Sequence, residues 1–565
     1  MKYLKVLFVL LAVVVFAVTA CTPAATEAPQ AEAPAEEAAV TEAPAEEAAV
    51  TEAPAEAAAT EAPAAETGEP KTLVLALNMD DLMTLDLALV GETTNQLITK
   101  QTYQTLVEYS VEDFLTPIPL VAESWELSDD LTVYTFHLKA GQVFASGNPL
   151  TAADVCFSYM RGKYMASGFY EMIDSCEVVD DLTAKVTLNV ASASFMADTA
   201  NPALGIQDSV LVKEHGGTDA EDAATTDTAK EWLDQNSAGS GPYIMTSWAP
   251  LSEVVLVKNP NYQGEAPYYD QILLKHVSDP TVALQMLQTG DADMVPYVDY
   301  DLVEMAQADP TLQTFINQSL DINYLAMTSS CATEIGPETA ALLCQPTIRK
   351  AVIASIDYDG LIQAILRGFG VRPPAMFPIG IPGVDASETQ GRDIEKAKAL
   401  LAEAGYADGI TIDLYYGTNA QRDTIAAKIK SDLAEAGITV NLNPMEQTVY
   451  LTEMRAQKLP FCFGGWTPDY IDPIMWTSGF STITGGIGKR MLYDNPTAAD
   501  LGNQIVATAD PAARIDLINQ LEAVWLEDAA FTVLYQTQSI TALRADIQGF
   551  SYHPAYMAKL YDLHE

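Results

Sequence analysis

The chain has 565 residues, with 77 acidic against 29 basic side chains and a formal net charge of −48. So acidic a surface speaks against nucleic acid as a partner, because phosphate binding needs a basic face. The length exceeds one ordinary domain of about 100–200 residues, and an apolar content of 49% is ample for large cores.

The N-terminus reads as an export signal. Met1 to Lys5 is basic, Val6 to Val18 is unbroken apolar sequence, and Thr19-Ala20 stand before Cys21. A charged start, an apolar stretch of about 7–15 residues and small residues at the cut define such a signal. The run is too short for a membrane span of about 20 residues. Val18-Thr19-Ala20-Cys21 resembles the lipobox of bacterial lipoproteins, which implies removal of residues 1–20 and a lipid on Cys21. The alternative is a plain secretory signal cut after Ala20. Residues 21–70 then consist almost entirely of Ala, Glu, Pro and Thr, with the unit Glu36–Ala45 repeated at Glu46–Ala55. Such sequence has no side chains for a core and cannot offset its ordering entropy. It is expected to be an extended, disordered stalk. Twelve Glu lie in 22–70 and two Lys in the leader, so −38 of the net charge resides in 71–565.

Along the body, Thr132–Leu138 alternates as a strand, and Thr151 and Asp154 form a capping-box start to a helix. Asp393 caps a second helix that stops at Gly405, and Ile410–Tyr416 follows as a strand. Gln421–Ala436 is an amphipathic helix ended by Gly437, and Ile438–Leu442 another strand. This alternation predicts an α/β fold, a helix-covered sheet rather than a sandwich. Cys156 with Cys176, and Cys331 with Cys344, are close enough in sequence to be local disulfides in an exported protein. Cys462, among Phe461, Phe463 and Gly464, reads as a buried thiol.

The stretch Pro119–Glu126, then Ser128–Leu138, closely resembles the signature region of family 5 extracellular solute-binding proteins, the peptide receptors of ABC importers. The match continues through Phe144, Gly147, Pro149–Ala152, Asp154-Val155, Phe157–Tyr159 and Arg161. It recurs in order at Gly239–Tyr243, Asn259–Tyr262, Leu287–Asp293, Arg349–Ala351, Ile356-Asp357 and Gly465–Pro473. No single motif is decisive, but the ordered set is specific and covers essentially the whole body. The resemblance implies a two-lobed clamp of the periplasmic-binding-protein type II kind. Its first lobe would be 71–317, with an extra subdomain at about 116–238. The second lobe would be 318–504, and 505–565 would return to the first.

In peptide-binding members of that family the acid of a Trp-x-x-Asp element holds the peptide's α-amino group. Residue by residue, the role falls on Asp469, with Trp466 and Tyr470 beside it as ligand contacts. A carboxylate gives an ammonium charge-assisted hydrogen bonds, and an aromatic face adds cation–π attraction. The bland alternative has Asp469 and Asp472 capping a turn before Pro473, with Trp466 in the core. Arg422 lies where dipeptide binders carry an arginine for the C-terminal carboxylate, against the alternative of a solvated helix-start residue. Pro468, inserted in the Trp–Asp element, departs from the family pattern and bears on where the carboxylate points.

Catalytic signatures are missing. The five His have no His-Glu-x-x-His spacing, there is no Gly-x-Ser-x-Gly elbow, and Gly485–Arg490 lacks Walker spacing. Neither a metal nor a cofactor is expected, and the chain is not expected to be an enzyme. The expectation is a lipid-anchored, extracytoplasmic receptor, in the periplasm or on the outer cell surface, that delivers peptides to an ABC permease. Rivals are an oligosaccharide or other organic solute as cargo, an extracellular hydrolase on the same fold, and a signalling receptor.

Overall fold

Two long strands carry the architecture. A computed structural model describes residues 70–110, 113, 116–165, 167–384, 391–468, 470–481 and 485–565. The leader, Cys21, the stalk up to residue 69 and Asp469 lie outside the described residues.

The chain opens with β1 (Thr72–Leu77) and α1 (Thr93–Thr102). Then β2 (Ala122–Leu127), β3 (Val133–Leu138), α2 (Ala152–Tyr164), β4 (Ile173–Asp180) and β5 (Thr183–Leu188) form a unit of their own. Its antiparallel sheet runs β2-β3-β5-β4 over a separate core that includes Phe136, Phe144, Val155 and Val186. This unit falls within the stretch expected to form an extra subdomain. Thr151 and Asp154 do make the reciprocal capping box at the start of α2. Strands β6 (Tyr243–Ala249), β7 (Glu253–Lys258), β8 (Gln271–His276) and β9 (Met294–Val295) follow. After them come β10 (Leu312–Met327), α3 (Ile394–Glu403), β11 (Ile410–Gly417), α4 (Ala420–Ala434), β12 (Ile438–Met445) and β13 (Phe461–Trp466). The chain closes through α5 (Pro496–Val506), α6 (Pro511–Asp528) and β14 (Phe531–Arg544).

The elements expected between Asp393 and Leu442 form where the sequence places them. Asp393 caps α3 by accepting from Lys396 N at 2.8 Å. Gly405 and Gly437 take φ of +90°, which L side chains rarely adopt, so both helices end there.

Among the described residues, the main sheet has eleven strands along the path β12-β11-β13-β10-β14-β9-β1-β8-β7-β6, with Gly370–Val371 also pairing with β14. The halves meet in β10 and β14. The N-terminal part of β10 (Leu312–Gln318) pairs with the C-terminal part of β14, beside β9 and β1. Its C-terminal part (Ile322–Met327) pairs with β13 on one side and Phe531–Gln536 on the other. Because successive strand residues point to opposite faces, Tyr324 and Ala326 join one core of the second half. Leu325 and Met327 join the other. The chain therefore crosses between halves inside β10 and again inside β14.

Helices α5 and α6 pack in the second half's core through Ile505, Ile518, Leu521 and Trp525. An amphipathic helix follows its apolar partners rather than its place in the chain, and the switch waits for β14.

The register slips between Gln318 and Ile322, freeing Ser319–Asp321 from regular pairing at the junction. Buried Gln536 holds the junction together: its Nε2 donates to Ser319 O at 2.6 Å and Ile379 O at 2.8 Å, and its Oε1 accepts from Ile379 N at 2.8 Å. Arg161 of α2, fully buried, ties the extra unit to the first half. It donates to both oxygens of Asp86 at 2.6 and 2.7 Å and to both of Asp227 at 2.7 and 2.9 Å. The structure also joins Cys156 to Cys176 and Cys331 to Cys344, and leaves Cys462 as a buried thiol.

Candidate functional site

The junction opens into a hollow of about 400 Å³ walled by both halves. Asp81, Glu92, Gln96, Tyr297, Tyr300 and Tyr552 come from the first half, and Ser319, Asp321, Thr467 and Pro468 from the second. The register slip in β10 turns Ser319 and Asp321 toward this space. Ser319 Oγ bonds Thr537 Oγ1 at 2.8 Å, and Asp321 N donates back to Ser319 Oγ at 3.1 Å. The Trp466–Pro473 segment leaves the end of β13, whose Trp466 pairs with Ile322. That pairing delivers Thr467 and Pro468 to the wall.

The electrostatics of the hollow are acidic. Asp321 is half-buried, and its carboxyl is pushed above the ordinary aspartate range by desolvation, partly offset by a hydrogen bond from Thr467. Burial, then the Asp321 and Asp299 charges, push Tyr300 up to about 12. Asp81 accepts from Thr94 N at 3.2 Å and from Thr94 Oγ1 at 2.6 Å, which fixes the start of α1. Glu92 and Asn95 cap that helix reciprocally. The other carboxylate oxygen of Glu92, Oε2, and Oε1 of Gln96 are buried without a hydrogen-bond partner among the described residues.

The residues singled out in the sequence separate here. Thr467 and Pro468 line the large hollow, while Tyr470 lines a smaller one of about 20 Å³ with Tyr109, Ile471, His553 and Tyr556. Asp469, between them in sequence, lies outside the described residues. The Trp466 ring turns toward the second half's core, edge-on to Phe480 at 5.9 Å, with its indole N–H buried and unpartnered among the described residues. Arg422 is not among the described residues lining the hollow. Its guanidinium donates to Gln447 Oε1 and, at 3.4 Å, to Gly417 O, while its backbone N–H is capped by Asn419 at 2.8 Å. These bonds tie its guanidinium to the end of β11 and to Gln447. Asp472 is a turn acceptor, taking Ile474 N at 2.9 Å.

Asp81, Glu92 and Asp321 were not singled out in the sequence. The one available signal was Asp321, a carboxylate among Leu320, Ile322 and Tyr324 in a strand. Its position at a register slip cannot be read without the partner strand. A larger cavity of about 810 Å³ has its lining, including Lys350, Arg372 and Trp525, outside the junction between the halves.

Among the described residues, no cluster of metal-ligating side chains occurs and no helix is long and apolar enough to cross a membrane. A hollow at the double crossing of a two-lobed α/β clamp is the architecture of a ligand-binding protein. The family model "Bacterial extracellular solute-binding proteins, family 5 Middle" matches residues 116–486, and the chain belongs to that family. It is an extracytoplasmic solute-binding component of ABC transport, not an enzyme.

Among curated relatives, the chain is 28% identical over 501 residues to the probable D,D-dipeptide-binding periplasmic protein DdpA of Escherichia coli (strain K12). That match covers 87% of this chain and 94% of the relative. It is 27% identical over 504 residues to heme-binding protein A of Haemophilus influenzae, covering 82% of this chain and 87% of the relative. Its fold matches the Helicobacter pylori periplasmic binding protein DppA in complex with the peptide STSA. There the TM-score is 0.68 and the identity 24%, over 87% of this chain and 98% of that one.

Proposed function

We propose that this chain captures short peptides in the hollow between its halves and passes them to an ABC permease, tethered to the membrane by a lipid on Cys21. The observation that carries the reading is the placement of Thr467-Pro468 on the wall, directly before Asp469. The terminal ammonium of a peptide is then held by Asp469, as the family resemblance implies. The peptide-binding names of relatives support the same cargo. Contact with both halves favours the closed clamp, because only that state offers both walls. Tyr297, Tyr300 and Tyr552 alone would suit a sugar, but the carboxylates among them suit an ammonium better.

The test is a thermal-shift comparison of a mixed peptide pool with its N-acetylated twin. A ligand at about a hundred times its Kd stabilises the native state by roughly 2.7 kcal/mol. The reading requires a shift with the free-amine pool only, lost in Asp469→Ala. Equal shifts with both pools remove the ammonium role. No shift with either, after refolding to strip bound ligand, leaves oligosaccharides as the next candidates.

A further inference from the structure

Several carboxylates with little exposure are paired with arginine. Asp86, Asp227, Asp293 and Asp472 each face an arginine at 2.5–3.1 Å. Asp81, Glu92 and Asp321 are half-buried, form no ion pair among the described residues, and all three line the hollow between the halves. No Lys, Arg or His is among the described residues on its wall. Overall acidity does not account for Glu92 Oε2, which is buried without a donor among the described residues, because withdrawing a carboxylate oxygen from water is costly unless it is paired.

A second observation points the same way. Gln96, only 6% exposed, lines the hollow with Oε1 lacking any donor, and Glu92 Oε2 is in the same condition. Leaving a buried acceptor without a donor is costly. Every one of these groups accepts; the complement is a donor-rich cation, an ammonium with three N–H or a guanidinium with five. The rings of Tyr297, Tyr300 and Tyr552 add faces on which such a cation is attracted.

We propose that the cleft selects for positive charge beyond the terminal ammonium: its preferred solutes are basic peptides whose lysine or arginine side chain is taken by Asp321, Glu92, Asp81 and Gln96. The proposal rests on the peptide reading of the site and adds the side chain it favours. Asp321, from the second half, and Glu92, from the first, then grip one cation from opposite walls, so the charge itself helps hold the clamp shut.

The test is calorimetric titration of the full chain with Ala-Lys-Ala, Ala-norleucine-Ala, Ala-Glu-Ala and agmatine, a dication with no peptide bond. A hydrogen-bonded charge in the cleft gives the lysine peptide an advantage of at least about tenfold over the norleucine peptide. Asp321→Asn and, separately, Glu92→Gln shrink that advantage, and Ala-Glu-Ala binds weakest. Equal affinity for the lysine and norleucine peptides overturns the charge selection while leaving the peptide reading intact. Agmatine binding without any peptide binding, lost in Asp321→Asn, keeps the charge selection and overturns the peptide reading. Binding by none of the four overturns both. Should Asp321→Asn fail to fold, Glu92→Gln and Asp81→Asn carry the comparison.

Discussion

Arg514 meets Asp472 with Nη2–Oδ1 at 2.5 Å and Nη1–Oδ2 at 2.9 Å, a bidentate pair that is almost wholly buried. Ser194, from the loop after the extra subdomain's sheet, donates to the same Oδ1 at 2.8 Å and accepts from Arg514 Nη2 at 2.7 Å. One cluster therefore joins α6, the segment after Trp466 and the extra subdomain. Removing one member of a buried pair leaves an uncompensated charge, at a cost of about 3–5 kcal/mol. Asp472→Ala is expected to lose that much in urea denaturation. The double variant Asp472→Leu/Arg514→Met loses less than either single change, because no charge is then stranded.

Asp321 gives a pH prediction. Its carboxyl titrates above the unfolded value because burial disfavours the charged form. A group raised on folding stabilises fully below its unfolded pKa and loses that contribution as pH rises through its folded pKa. At pH 7 the ligand-free protein therefore carries a cost that Asp321→Asn removes. The variant is expected to melt higher than the wild type at pH 7, and the gap closes as the pH is lowered toward the unfolded value. A cation competes with the proton on Asp321, so binding of a basic peptide weakens with falling pH in the wild type. In the variant that part of the pH dependence is lost.

Arg161 is held in fixed geometry by two carboxylates. A lysine offers a point charge and cannot fill both bidentate positions. Arg161→Lys is expected to destabilise by several kcal/mol, on the order of the 3–5 found for broken buried pairs. An unchanged urea midpoint would show that the guanidinium geometry is dispensable.

The disulfides span separations of 20 and 13 residues. Loops of this size restrict the unfolded chain by about 3 kcal/mol each. Serine substitution of Cys331 and Cys344 together is expected to lower stability by that order, read from the denaturation midpoint. Burial pushes the Cys462 thiol up to about 12, so it stays protonated at pH 8. A thiol reagent should find no reactive cysteine among Cys156, Cys176, Cys331, Cys344 and Cys462 until the protein unfolds.

The parts of the fold that were legible in the sequence are those with local signals. Asp393 and Gly405 bracket α3, Thr151 and Asp154 open α2, and alternation marks β3, all within short windows. The long strands β10 and β14 were not legible, because their role as crossings depends on pairing across some 200 residues of chain. For the same reason, which core α5 and α6 join is not legible in a local window. At the site, family resemblance pointed to the Trp466–Pro473 segment, and Thr467 and Pro468 are on the wall. Asp81, Glu92 and Asp321 escaped notice because single acidic residues in a chain of net charge −48 carry no signal until three elements bring them together.

The central claim is that a peptide lies in the hollow between the halves with its terminal nitrogen at Asp469. A crystal structure of the protein grown with a saturating free-amine peptide tests it most directly. The account predicts peptide density bordered by Thr467 and Asp321, with the terminal nitrogen within hydrogen-bond reach of the Asp469 carboxylate. Peptide density elsewhere, or in the hollow with Asp469 turned away from the nitrogen, would contradict it.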